Sequence, residues 1–353
     1  MAGLCAAARA RELGARPVVL EKGLRPGGSM LLSSCVVWRY RTFEDFCAEC
    51  PGGDEELQRA VFDGFDEALE WLVSLGPEVV WEDTPNPRTT GKRFEPRSLT
   101  EALVRAGGEV RIGQGLRRSL ATPTREAVPA WPARPSSTTI PGTWPEEPVV
   151  LATGGFAVRY AREHGLLVRC NPWSEGDGLD YARERGAGLA GDLDEFYGRA
   201  MPAPPARIGE EDFVRLSQLW DGEARFLNKR GEEFFPGLPA WHESDLAQAI
   251  ARQPGGTAWF VVSADRRDDP RVLATREAGG TVEERDGELR LHVAAAVTHT
   301  QGGIRVDPEA RVVGVEGVFA AGADVGGIST GGYSSGLAAA LVLGRIAAET
   351  ALM

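Results

Sequence analysis

His299-Thr300-Gln301-Gly302-Gly303, then Phe319-Ala320-Ala321-Gly322-Ala323-Asp324, then Tyr333-Ser334-Ser335-Gly336-Leu337-Ala338-Ala339 is the stretch whose reading decides the fold. An apolar strand ending in a carboxylate, a glycine-laden loop and an uninterrupted Ala/Leu helix is how an α/β fold points backbone N–H groups at a bound cofactor. A helix starting near Gly336 aims its positive end at electron-rich atoms of that cofactor.

The opposite end of the chain carries a matching half-motif. Residues 1–14 read as an amphipathic helix stopped by Gly14, followed by the apolar strand Pro17-Val18-Val19-Leu20 and then Glu21-Lys22. This is the second half of a nucleotide-binding βαβ unit. Of the three glycines in G-x-G-x-x-G only the third, which lets helix pack on strand, is present, as Gly3. Glu21 stands where a strand-terminal carboxylate accepts hydrogen bonds from ribose hydroxyls, with Lys22 beside it. The missing first strand and glycines suggest a late start, which would leave an edge of the central sheet unfilled and weaken pyrophosphate binding.

Between these ends, Arg25-Pro26-Gly27-Gly28-Ser29 and Ser33-Ser34 form a glycine/serine loop able to meet phosphate with backbone and hydroxyl donors. Apolar residues at helical spacing over residues 54–75 predict a covering helix. A helix over 99–106 and a strand over 110–112 follow. Residues 121–148 are rich in Pro, Ser and Thr without periodicity and read as an irregular excursion. Val149-Val150-Leu151-Ala152-Thr153-Gly154-Gly155-Phe156 is a buried strand breaking into a Gly-Gly turn. In Gly176-Asp177-Gly178, Asp177 is either a plain N-cap of the next helix or a cap that also faces a nucleotide. Residues 193–291 are less regular, rich in aromatics and charge, and read as a second domain closing a cleft.

Bulk composition narrows the classes. The chain has 353 residues, 42% hydrophobic and 25% charged, which suits one large or two moderate globular domains. Its net charge of −12 argues against nucleic acid or an anionic membrane as partner. Neither a leader pattern nor a spanning apolar run is visible, so a cytoplasmic location is the default expectation. Five scattered cysteines do not suggest a disulfide framework, and Cys47-x-x-Cys50 reads as a chance helical pair rather than a redox or zinc site. No metal is expected.

Glu21, the Ala152-Thr153-Gly154-Gly155-Phe156 turn, Gly176-Asp177-Gly178, His299-Thr300-x-Gly302-Gly303 and Ala320-Ala321-Gly322-Ala323-Asp324, all in one order, resemble the flavoprotein family of fumarate reductases, succinate dehydrogenases and 3-ketosteroid dehydrogenases. The resemblance implies a Rossmann-like, glutathione-reductase-type FAD-binding domain from residues 1–192 and 292–353, with an inserted α+β substrate cap at 193–291. It also implies an FAD-dependent oxidoreductase exchanging hydride between flavin N5 and a C–C bond beside a carbonyl or carboxylate. The expected FAD set is Gly3, Glu21, Lys22, Gly28, Ser29, Thr153, Gly154, Asp177, Gly322, Asp324, Ser335, Gly336 and Leu337, with Asp324 facing the ribityl chain.

In the same resemblance His299 and Thr300 touch substrate, and Tyr333 replaces the carboxylate-binding arginine of fumarate reductases, as in ketosteroid dehydrogenases. A phenol cannot form arginine's bidentate fork, which counts against a simple dicarboxylate. The family's cap arginine is replaced by Trp241-His242-Glu243-Ser244-Asp245, where His242 is either an acid/base oriented by Glu243 or Asp245, or an exposed loop residue. No histidine lies near Ser29–Ser34, so FAD is expected to be held non-covalently. The expected partners are an enone, enoic acid or steroid-like small molecule and an electron donor or acceptor of unknown identity. Rival expectations are an FAD-dependent amine or hydroxy-acid oxidase, or an inert truncated relative.

Overall fold

The computed structural model describes residues 1–115, 147–220 and 222–353. The Pro/Ser/Thr-rich excursion expected at 121–148 lies almost wholly outside the described residues.

Three helices make one side of the molecule. Helix Ala2–Glu12 packs on helices Pro96–Gly107 and Gly336–Ala351. Small residues let them approach: a Cβ on Gly344 would stand 2.6 Å from the Ala2 carbonyl oxygen. Beside them lie two separate parallel strand pairs, Val18–Glu21 with Glu109–Ile112 and Val149–Leu151 with Val318–Ala320. Parallel pairs joined through helices are the mark of an α/β fold, in agreement with the sequence pattern. Strands Val18–Glu21 and Val149–Leu151 line one common cavity.

The predicted covering helix runs Glu55–Ser74, capped by the Asp54 side chain, which accepts from the N–H groups of Glu56 and Leu57. Its Leu57, Val61, Phe65 and Leu72 are buried. A three-stranded antiparallel sheet, Val36–Tyr40, Thr89–Phe94 and Val79–Trp81, was not foreseen. Its strand Val36–Tyr40 delivers Trp38 and Tyr40, both buried, toward the cavity side of the C-terminal helix.

A six-stranded sheet centres on the thirteen-residue strand Glu288–Thr300. Its first half pairs antiparallel with Thr257–Ser263 and Val282–Arg285, and its second half pairs antiparallel with Phe196–Pro202 on one side and parallel with Leu167–Val168 on the other. The sheet therefore runs past both 193 and 291. Phe226, Phe260, Leu289, Leu291 and Trp220 form a core of their own under it. The register with Phe196–Pro202 shifts between Val297 and His299, an irregularity of the kind that re-aims a side chain. Among the described residues no helix is long and apolar enough to cross a membrane.

Candidate active site

A cavity of about 1100 Å³ lies among the strand pairs, the N-terminus of the C-terminal helix and the large antiparallel sheet. That exceeds the roughly 300–1,000 Å³ typical of a single small-molecule pocket. Gly3, Glu21, Lys22, Gly28, Ser29, Thr153, Gly154, Asp177, Gly322, Ser335, Gly336 and Leu337 all line it, as do His299, Thr300 and Tyr333. Asp324 and His242 do not.

Each wall follows from local chemistry. Ser335 caps the C-terminal helix, its hydroxyl accepting from the Ala338 N–H at 3.2 Å, so the free N–H groups of the first turn open at Gly336. His299 packs over that point: a Cβ on Gly336 would meet its Cε1 at 3.3 Å. Gly27 and Gly28 take φ of 111° and 55°, turning the chain into the short helix Gly28–Leu32 that carries Ser29. Ser29 Oγ accepts from the Asn171 N–H at 3.0 Å. Glu21 accepts from the Gly23 N–H at 2.6 Å, and burial pushes its pKa up.

Asp324 has a different place from the one expected. Its carboxylate is 1% exposed and points away from the cavity, accepting from Thr153 Oγ1 at 2.7 Å and from the Gly154 N–H at 2.9 Å. Thr153 Oγ1 in turn accepts from the Gly178 N–H at 3.0 Å. These donors engage both carboxylate oxygens, and Asp324 braces the Thr153–Gly154 turn. Burial raises its pKa while the surrounding donors oppose that rise.

Asp177 is not an N-cap. Gly176, with φ 92°, occupies the cap, and Asp177 is the first helical residue. Its carboxylate lies 2.8 Å from Lys22, which also meets Glu175 at 2.7 Å. Burial alone would lower the Lys22 pKa, but these two partners raise it.

On the substrate side, Tyr197 sits between the two expected residues. Its ring stacks on Tyr333 at 4.1 Å and 10° and lies 5.2 Å from His299. Trp38 and Trp241 stand 5.5 and 6.0 Å from Tyr333, closing an aromatic box. Burial lowers the His299 pKa to about 4, so the imidazole is neutral at pH 7. Burial, and then the neighbouring Tyr197, hold the Tyr333 phenol well above its ordinary pKa, so it stays a donor. Tyr40 Oη donates to the Tyr333 carbonyl at 2.6 Å and fixes this loop.

His242 is neither cavity-lining nor exposed. At 5% exposure it lies behind Tyr333 and Trp241, its Nδ1 accepting from the Ser244 N–H at 3.2 Å and its Nε2 3.9 Å from Glu49. Glu243 and Asp245 do not orient it: Glu243 accepts from the Trp220 N–H and Asp245 from the Ala240 N–H. Desolvation lowers the His242 pKa to about 4, against an opposing pull from Asp245.

Sequence reasoning overlooked Tyr197, Trp38, Asn171 and Ser174 as cavity residues. The alternation of Phe196–Pro202 was a usable signal, since residues 197 and 199 share a face.

The lining suits a flavin dinucleotide. Positive-φ glycines at 28, 154 and 322 bring bare backbone to the surface. The buried hydroxyls of Ser174 and Thr300 line the cavity with no hydrogen-bond partner, as if awaiting a polar ligand. Comparison with known proteins agrees. The model of the FAD binding domain family matches residues 145–337. A probable fumarate reductase of Shewanella frigidimarina is 25% identical over 267 aligned residues, covering 58% of this chain and 44% of the relative, so this chain spans less than half of that protein's length. The open conformation of a flavocytochrome c3 fumarate reductase superposes with a TM-score of 0.69 at 19% identity, covering 99% of this chain and 76% of that one. The 3-ketosteroid-Δ4-(5α)-dehydrogenase of Rhodococcus jostii RHA1, in complex with 4-androstene-3,17-dione, gives 0.68 at 17% identity, covering 100% and 95%. At these identities the two structures speak for a shared fold. With more than half of its length matched by the family model, the chain belongs to the FAD binding domain family of flavoproteins, and FAD is its cofactor.

Proposed function

We propose that this chain is an FAD-dependent oxidoreductase acting on a C–C bond beside a carbonyl or carboxylate, with residues 1–192 and 292–353 holding the cofactor and 193–291 capping the substrate. The observation that carries this reading is the placement of His299 and Tyr333 on either side of Tyr197, beside the opening at Gly336, in one cavity. When bound, FAD supplies two-electron redox chemistry at the hydride level. The glycines at 3, 28, 154 and 322, together with Glu21, Ser29 and the first turn at Gly336–Leu337, are the residues proposed to hold it. The ion pairs of Lys22 with Asp177 and Glu175 keep the cofactor wall rigid.

The protein's share of the chemistry is positioning and proton control. Tyr333, protonated over the working pH range, donates to the substrate oxygen conjugated with the reacting bond, where negative charge develops. Neutral His299 lends a second ring nitrogen to that oxygen, and the unpartnered Thr300 hydroxyl a third donor. The aromatic box excludes water around a flat, apolar substrate body.

The test is anaerobic photoreduction of the purified yellow protein, followed by a panel of enones, enoic acids and steroids. Return of the oxidised spectrum with one class supports the reading. Reoxidation by oxygen alone, with peroxide release and no response to any enoyl compound, overturns it in favour of an oxidase. Protein that stays colourless when supplied with FAD overturns it outright.

A further inference from the structure

Two arginines unused by the reading above stand on the cap side of the cavity. Arg199 lies opposite Ala296 on one flank of strand Glu288–Thr300, and Arg169 follows Leu167–Val168 on the other flank, its N–H donating to the Val297 carbonyl at 2.8 Å. Both line the cavity. Arg169 uses Nε on the Phe213 carbonyl at 3.0 Å and Nη1 on Thr298 Oγ1 at 3.1 Å. Arg199 uses Nη1 on the carbonyls of Gly198 and His242, and its guanidinium lies 4.8 Å from the Tyr197 ring centroid and 5.9 Å from that of Tyr333. Nη2 of Arg169, and Nε and Nη2 of Arg199, have no partner among the described residues.

The chain carries 51 acidic residues against 39 basic ones, yet among the described residues neither arginine has a carboxylate partner. The charges that act on Arg169 are Arg199, which repels it, and the weakly acidic Tyr197, Tyr333 and Cys170. Two half-buried guanidiniums that line one cavity without a carboxylate partner favour an anion between them. Arg199 still presents the Nε/Nη2 edge that matches a carboxylate, and Arg169 adds Nη2.

We propose that Arg199 and Arg169 form the acid-recognising end of the substrate site, so that the substrate is an α,β-unsaturated or saturated monocarboxylic acid with a flat apolar body. One carboxylate oxygen lies on the two guanidiniums, the other faces the Tyr333 hydroxyl, and the body lies against Tyr197, Trp38 and Trp241. A dicarboxylate would bring its second charge into the aromatic box, and a neutral ketone would leave both cations unpaired. This deepens the proposed function and rests on its placement of substrate beside Tyr333.

The test is calorimetric titration of the protein as purified with sodium cinnamate and with the neutral isostere cinnamamide. Cinnamate is expected to bind at least tenfold more tightly. Arg199→Gln and Arg169→Gln should each remove most of that preference, leaving cinnamamide binding and the flavin-to-protein ratio unchanged, with Arg199→Lys intermediate. Equal affinity of acid and amide for the unaltered protein, or no binding of either, overturns the proposal without need of a variant. Variants that lose flavin while keeping the acid preference also overturn it, placing the arginines on the cofactor's own phosphates. Failure of every enoyl compound to reoxidise the flavin would sink the redox reading instead, and leaves the calorimetric comparison standing.

Discussion

Thr153 is the joint on which the cofactor-side turn depends, and replacing it with Val tests that role with almost no change of shape. The hydroxyl donates to the buried Asp324 carboxylate at 2.7 Å and accepts from the Gly178 N–H at 3.0 Å, tying strand Val149–Leu151, helix Asp177–Glu184 and the segment after Val318–Ala320 into one knot. Thr153→Val removes a hydrogen bond to a charged group, about 1.5–3 kcal/mol, and orphans an N–H, about 1–3 kcal/mol, so a loss of about 3–5 kcal/mol is expected. Thr153→Ser keeps the hydroxyl and deletes one methyl, for about 1 kcal/mol.

Urea unfolding at pH 7 followed by circular dichroism reads both. A pH series adds a second check. Burial raises the Asp324 pKa from 3.8, so the folded state holds the proton more readily than the unfolded chain. The stability this contributes is complete below 3.8 and is lost as pH rises through the folded value. Removing the Thr153 donor raises the folded pKa further, so the Val variant's deficit grows with pH and shrinks on acidification. A Val variant no less stable than the Ser variant, or a deficit that grows in acid, refutes the knot.

Three further outcomes follow from the site. His242 and His299 both have pKa values lowered from 6.5 to about 4, so the unfolded chain binds more protons between those limits and stability falls as pH drops from 6.5 to 4, by about 3 kcal/mol per histidine. In His242→Asn, urea midpoints across that range should show a shallower acid limb, and an unchanged slope removes His242 from the account. Tyr333→Phe keeps the ring stack and the carbonyl that Tyr40 grips, so unfolding should be nearly unchanged while substrate-driven reoxidation slows about 100-fold; an unaltered rate takes Tyr333 out of the chemistry. Gly332→Ala puts a Cβ 1.5 Å from the Glu49 carbonyl oxygen, so the loop carrying Tyr333 must move. A stability loss of about 3 kcal/mol and an altered near-UV spectrum are expected, and a silent substitution contradicts the packing.

The cofactor side was legible because its signals are local. Gly154 needs positive φ where it stands, Ser335 caps the helix beginning at the next residue, and the apolar run Val149–Leu151 forms a strand, of which Leu151 is buried. Such constraints act within a few residues and leave a pattern in the chain. Asp324 shows where this stops. Its place after an apolar strand is written in the sequence, but its hydrogen-bond partner Thr153 lies 171 residues away.

The substrate side was less legible for the same reason. Arg169, Tyr197, Trp38 and Trp241 come from four segments: strand Glu288–Thr300, which shifts register before His299, brings in Arg169 and Tyr197 by pairing on both flanks, while Trp38 comes from a separate sheet and Trp241 from outside any strand. A bulge carries no residue signature of its own, since Thr298 and His299 are ordinary strand residues. Without the shift, period-two alternation would set His299 by the regular register rather than the one observed, and its place over Gly336 would be lost. The placing of His299 in the cavity therefore depends on one irregularity of one strand. Residue identity supplies the imidazole and the guanidiniums, while sheet pairing decides whether they share a cavity.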